Sequence, residues 1–202
     1  MKRNKQILMQ LALATLIAMP MIAIIVDHFS EDVDLQLKLL SGINPFKQIL
    51  LGLIFGVVFG HLALFVSTRS FMKPVMNKYA QLFGAFELNQ SEMIYISICA
   101  GVGEEILFRG ALQPMLGIII TSIVFVAIHG YLNPKNWRIT VYGIFMTLVI
   151  IGMGYMTIHV GLISAILAHA MIDYYLILRM PRNAEVDIIE QTNLLNEDHF
   201  HE

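Results

Sequence analysis

Long apolar runs alternate with short polar connectors along this chain, and each run is about as long as a bilayer is thick. Residues 7–26 are apolar for about 20 positions, which at 1.5 Å per residue spans a ~30 Å hydrocarbon core. Lys2, Arg3 and Lys5 precede this run and no short apolar core with a small-x-small site follows, so it predicts a retained anchor, kinked at Pro20, rather than a removed leader. Residues 27–44 form a polar connector with four acidic side chains and an amphipathic piece at 33–40 that lies along the surface. A second helix over 46–68 carries Gly52, Gly56 and Gly60 at intervals of four, a stripe that lets another helix approach closely, within one chain or between chains.

Residues 69–92 mix charges with Phe71, Met72, Met76, Tyr79, Leu82, Phe83 and Phe86 near the helical period, which predicts an amphipathic helix in the headgroup region. A third helix over 93–111 follows, then a turn at Gln113-Pro114, a fourth helix over 115–129 and a loop over 130–137 containing Asn133-Pro134. The fifth helix covers 138–158, and after a break at 159–161 the sixth runs to about 180. The expectation is an all-α polytopic membrane protein with about six transmembrane helices and one or two interfacial helices. Residues 1–180 make one transmembrane domain with its motif-bearing core at 91–180, and 181–202 make a polar tail.

Composition agrees: 57% of residues are hydrophobic and 14% charged, and a mean hydropathy of +0.69 is far too apolar for an ordinary soluble domain. Ten of the thirteen lysines and arginines fall at the N-terminus, at 69–78, at Lys135 and Arg138, or at Arg179 and Arg182. By the positive-inside rule both termini are cytoplasmic. The lone Cys99 excludes an internal disulfide framework, and the absence of a basic cluster argues against nucleic acid as a partner. His61 and His159 have no polar residue one turn away and read as satisfied structural histidines.

Against this background the ionisable groups at bilayer depth stand out, since each costs at least ~2.5–3.5 kcal/mol to insert and usually marks function. Glu104, Glu105 and Arg109 lie in the third helix, His129 ends the fourth, and His169 and Asp173 lie in the sixth. Glu105 and Arg109 share a helix face and predict an ion pair that orients the site, which leaves Glu104 unaccounted for. Counting helical rise puts Asp173 ~9 Å, His169 ~15 Å and Glu104 ~18 Å deep, with His129 near the surface. A desolvated carboxylate beside imidazoles is equipped to activate water, so hydrolysis is the natural reaction class.

Three motifs carry a resemblance: Glu104-Glu105-Ile-Leu-Phe-Arg109, Phe125-Val-Ala-Ile-His129 and His169-Ala-Met-Ile-Asp173. Their order resembles the CPBP family, the CAAX-processing and bacteriocin-processing intramembrane proteases also called the Abi family. The resemblance covers roughly residues 91–179. It implies an intramembrane endopeptidase acting on a membrane-associated peptide or protein, in a bacterial plasma membrane, with Glu104 and His129 activating the attacking water. His169 with its i+4 partner would stabilise the oxyanion.

This chain departs from the prenyl-protein branch in having Asp173 where that branch has Asn. As a carboxylate, Asp173 would accept from His169 and fix that ring's tautomer. Glu104, His129 and His169 also form a candidate zinc set, although Glu104 cannot easily be both ligand and base, so an obligatory divalent metal is the lesser expectation. No His-Glu-x-x-His with site-2-type spacing and no Gly-x-Gly-Asp occurs, so neither of those intramembrane protease chemistries is supported. The competing class is a non-catalytic membrane scaffold or bacteriocin-immunity protein that binds a peptide in the same cavity. A transporter is disfavoured by the lack of internal repeats.

Overall fold

A computed structural model of the protein describes residues 2–76 and 86–179, the side chains of 2 and 3 excepted, and contains no strand among them. In order come α1 (Lys2–Phe29), α2 (Leu35–Leu40), α3 (Pro45–Ser67), α4 (Gln90–Glu105), a π-helical stretch (Ile106–Leu112), α5 (Gln113–Ile128), α6 (Trp137–His159) and α7 (Leu162–Arg179). Five stretches are long and apolar enough to cross a membrane, one fewer than expected, because Gln90–Ile128 counts as a single helical stretch of 39 residues.

That stretch is not straight. Glu104 Oε2 and His129 Nε2 lie 3.3 Å apart, whereas a straight helix would hold these residues roughly 37 Å apart. The chain reverses at Gly117, whose φ of +76° and ψ of 166° are open essentially to glycine alone. The turn expected at Gln113-Pro114 is therefore displaced by about one helical turn: both residues are helical, and Pro114 occupies the first turn of α5, where its missing N–H is not called upon. The returning limb runs only from 118 to 128, roughly 16 Å. His129 thus stops at mid-depth instead of reaching the surface, which corrects the depth inferred from counting a full span.

The two ends of the bundle are fixed by polar contacts. Lys5 Nζ meets Glu92 at 2.7 Å and Gln90 donates to the Tyr174 hydroxyl at 3.1 Å, so the N-terminus, the start of α4 and the last turns of α7 share one end. At the other, Ile43 N donates to Val160 O and Gln48 Nε2 to Ile43 O, each at 2.8 Å. Hence α1, α4 and α6 run one way while α3, the returning limb of α5 and α7 run the other. α4 begins three residues earlier than the apolar pattern suggests because Asn89 and Glu92 form a reciprocal capping box, with bonds of 3.0 and 2.8 Å.

The glycine stripe packs within the chain. A Cβ at Gly52 would lie 2.5 Å from Ser164 O, and one at Gly56 2.5 Å from Met171 Cβ, so α3 can lie this close to α7 only with hydrogens at those positions. His61 is satisfied, its Nδ1 3.0 Å from Val57 O and its Nε2 2.6 Å from the Tyr175 hydroxyl. His159 stacks on Tyr155, and Cys99 is a buried free thiol. Of the amphipathic segments, α2 is capped by the Asp34 side chain. The second shows a 3-10 turn at Ser70–Met72, while its stretch 77–85, like the tail 181–202, lies outside the described residues.

Candidate active site

The two adjacent carboxylates are explained by one imidazole. Neighbours on a helix point about 100° apart, and here they bracket the ring of His169 on α7. Glu105 Oε1 accepts from His169 Nδ1 at 2.8 Å, while Glu104 Oε2 lies 3.9 Å from Nε2 on the ring's other side. Glu105 Oε2 also accepts from Arg109 Nε at 3.2 Å, the pair expected from their spacing, and both side chains are 0% exposed.

Arg109 is satisfied on every side. One terminal nitrogen donates to Gln113 Oε1 at 3.0 Å and Ser122 Oγ at 3.5 Å, and the other to Ile150 O at 3.1 Å. Gln113 Nε2 in turn donates to Gly154 O at 3.1 Å. The guanidinium therefore ties the π-helical stretch, both limbs of the hairpin and α6 to the carboxylate that holds His169. Gln113 and Ser122 were not singled out in the sequence; the signal available was Gln113 standing four residues after Arg109. The π-helical stretch had no sequence signal, although such widened turns recur at functional sites.

His129 is fixed from within its own limb. Its Nδ1 donates to Phe125 O at 2.7 Å, and its ring stacks on that of Phe125 with centroids 4.5 Å apart. Only glycine stands at the closest point of the following loop: a Cβ at Gly143 on α6 would collide with Tyr131 O, so α6 can press against the segment that carries His129.

The hydrogen count at the centre of the site is informative. With Nδ1–H donated to Phe125 O in one ring and to the Arg109-paired Glu105 in the other, each neutral imidazole presents a lone pair at Nε2. Those lone pairs face Glu104 Oε2 at 3.3 Å from His129 and 3.9 Å from His169. Asp173 Oδ2 lies 3.4 Å from His169 Nε2. Glu104 Oε2 is buried and has no hydrogen-bond partner. With both rings neutral, acceptors converge on one point without a donor among them. The tautomer-fixing role expected of Asp173 is held by Glu105, because Glu105 is the carboxylate bonded to His169.

A metal does not fit this set as it stands. At ~2.05 Å from each donor, a zinc between Glu104 Oε2 and a His169 Nε2 3.9 Å away would need an angle of roughly 145°, far from tetrahedral. Among the described residues no group of three or more His, Cys, Asp or Glu side chains could hold a metal ion. As they stand, the candidate zinc ligands Glu104, His129 and His169 are spaced for a larger, hydrogen-bond-donating guest.

These groups open onto a cavity of about 320 Å³. Its polar floor is Glu104, His129, His169 and Asp173, and most of its other lining, such as Leu64, Met72, Met146 and Ile172, is apolar. Glu104 and His169 are the more enclosed of the four, with side chains 13% and 8% exposed, so the interactions between them are screened least. All four residues expected to be catalytic are brought to one place, while Glu105 and Arg109 stand directly behind them. Residues 88–175, which contain the whole of this site, match the family described as type II CAAX prenyl endopeptidase Rce1-like. No curated protein and no solved structure matches the chain.

Proposed function

From the membership of residues 88–175 in the Rce1-like family, which implies CAAX-type intramembrane protease activity in general, we propose that this integral membrane protein is a glutamate-dependent endopeptidase. It hydrolyses a peptide bond in a membrane-associated peptide or protein, using a water held between Glu104, His129 and His169. The observation that carries this reading is the buried, unpartnered Glu104 Oε2 set between two imidazole nitrogens. A water there supplies the missing donors, one O–H to Glu104 and one to His129 Nε2.

Glu104 takes a proton as the water oxygen attacks the scissile carbonyl carbon, and His129 holds the water on its line of approach. Collapse of the tetrahedral intermediate breaks the C–N bond, and the proton held by Glu104 passes to the leaving nitrogen. A second proton on His169, at Nε2, makes that ring the donor for the oxyanion, with Glu105 stabilising the imidazolium through Nδ1 as the buried carboxylate does in hydrolase triads. Asp173, whose Oδ2 lies 3.4 Å from Nε2, adds a polar neighbour to that ring on the cavity wall. The cavity mouth lies toward the bundle end that holds the N-terminus. Most of the lysines and arginines sit in segments at that end, so the mouth faces the cytoplasm of a bacterial cell.

Glu104→Gln tests the reading, because it keeps shape and hydrogen bonding while removing the base. Proteomic comparison of membranes from wild-type and variant cells identifies the cleaved protein, and turnover of that substrate is expected to fall ~10²–10⁴-fold with no loss of folded protein. Wild-type turnover in the variant would take Glu104 out of the chemistry and leave a peptide-binding scaffold or immunity protein as the better account.

A further inference from the structure

The two imidazoles of the site are secured unequally. His169 is bonded at Nδ1 to a carboxylate of another helix, and its side chain is 8% exposed. The His129 side chain is 32% exposed, and its Nδ1 bond goes to a carbonyl of its own limb. That bond fixes one ring atom and leaves the ring free to pivot about it, which would carry Nε2 away from Glu104. The plane of the ring has to be held by something else.

The residues that follow the histidine supply it. Gly130 takes a φ of +76°, and no atom lies within 4 Å of where its Cβ would be, so conformation and not space calls for glycine here. With it the returning limb ends in a Schellman motif: Gly130 N donates to Ala127 O at 2.9 Å and Tyr131 N to Val126 O at 3.3 Å. This motif turns Tyr131 back onto the last turn of the limb. The Tyr131 ring lies 15° from parallel to that of His129, with centroids 6.1 Å apart, inside the range of interacting aromatic pairs. Phe125, one turn deeper, stacks on the same imidazole with 28° between planes.

Tyr131 is itself held from α6. Tyr142 meets its ring edge-on with centroids 5.4 Å apart, and its carbonyl rests against Gly143, where a Cβ would collide. Both tyrosines line the cavity with His129. We infer that Tyr131 is a positioning residue for the catalytic imidazole: with Phe125 it fixes the plane of His129, so that Nε2 stays directed at Glu104 and the water between them. The flat ring does this, and Gly130 and Tyr142 set where the ring lies. The inference rests on the protease reading for what the held imidazole does, and on packing alone for its being held.

Nitrogen NMR of histidine-labelled, full-length protein in detergent reads the holding whether or not the protein cuts anything. A ring released from the Phe125 carbonyl no longer has its proton fixed at Nδ1, and the His129 signals are assigned by their absence in His129→Asn. The wild type and Tyr131→Phe are expected to show Nδ1–H with a bare Nε2, and Tyr131→Phe to keep most of the turnover. Tyr131→Leu is expected to show mixed tautomers and to lose at least ~10-fold in turnover per folded protein, through kcat and with KM within ~3-fold of wild type. A Leu variant that keeps the Nδ1–H signature, or one that keeps full turnover, overturns the inference, as does equal loss in Tyr131→Phe. If Tyr131→Leu does not fold, Tyr131→Met, which refills the space without a flat ring, takes its place. A wild-type protein that cuts nothing, with the signature lost in Tyr131→Leu, counts against the protease reading alone.

Discussion

Replacing Glu105 by Gln probes the support of the site, where the physics is least forgiving. Glu105 faces two donors, Arg109 Nε–H at 3.2 Å and His169 Nδ1–H at 2.8 Å. An amide has one accepting end and one donating end, so it must turn its NH₂ against one of them. It also leaves Arg109, 0% exposed, with only neutral acceptors. Removing one partner of a buried pair costs ~3–5 kcal/mol, because the remaining charge stays desolvated. The double variant Glu105→Gln/Arg109→Met removes that charge too. It gives up the bonds to Gln113, Ser122 and Ile150 but should recover part of the loss, a coupling of at least ~2 kcal/mol between contacting residues. Unfolding in mixed SDS micelles, followed by the fluorescence of the single tryptophan Trp137, measures both quantities. A single variant within ~1 kcal/mol of wild type, or a double variant that merely adds the two losses, would refute the argument that this pair is buried, charged and mutually dependent.

Gly117→Ala places a side chain where φ is +76° and no atom lies within 4 Å, so its cost is backbone strain alone, ~1–3 kcal/mol, seen as a lowered melting temperature. An unchanged melting temperature would mean that the hairpin does not depend on that conformation. Asp173→Asn should retain most activity, since Glu105 and not Asp173 holds the His169 ring, whereas Asp173→Ala should lose more by removing a polar group from the cavity floor. Equal, full loss in both would mean that the carboxylate itself is required. Chelators should leave turnover of the identified substrate unchanged, and loss restored by added zinc would show that the donor set closes around a metal after all.

The sequence by itself determined the class of protein, the location of most helices and the identity of the groups that meet. Those are consequences of local pattern: apolar runs as long as a bilayer is thick, and ionisable residues too costly to place in them without purpose. Glu105 and Arg109 were legible as a pair because i,i+4 spacing is local too. What tertiary structure decided is where the third and fourth helices part. A proline at position 114 and a glycine at 117 are both breakers on paper, and only the packing of the returning limb against α6 shows that the glycine takes the turn and the proline does not. That displacement, with the short limb after it, sets the depth of His129. Which carboxylate would hold His169 was likewise beyond local spacing, since Asp173 is near in the chain and Glu105 is 64 residues away. The nearer residue loses because the ring points its Nδ1 at α4, an orientation fixed by how two helices pack and written in neither one alone.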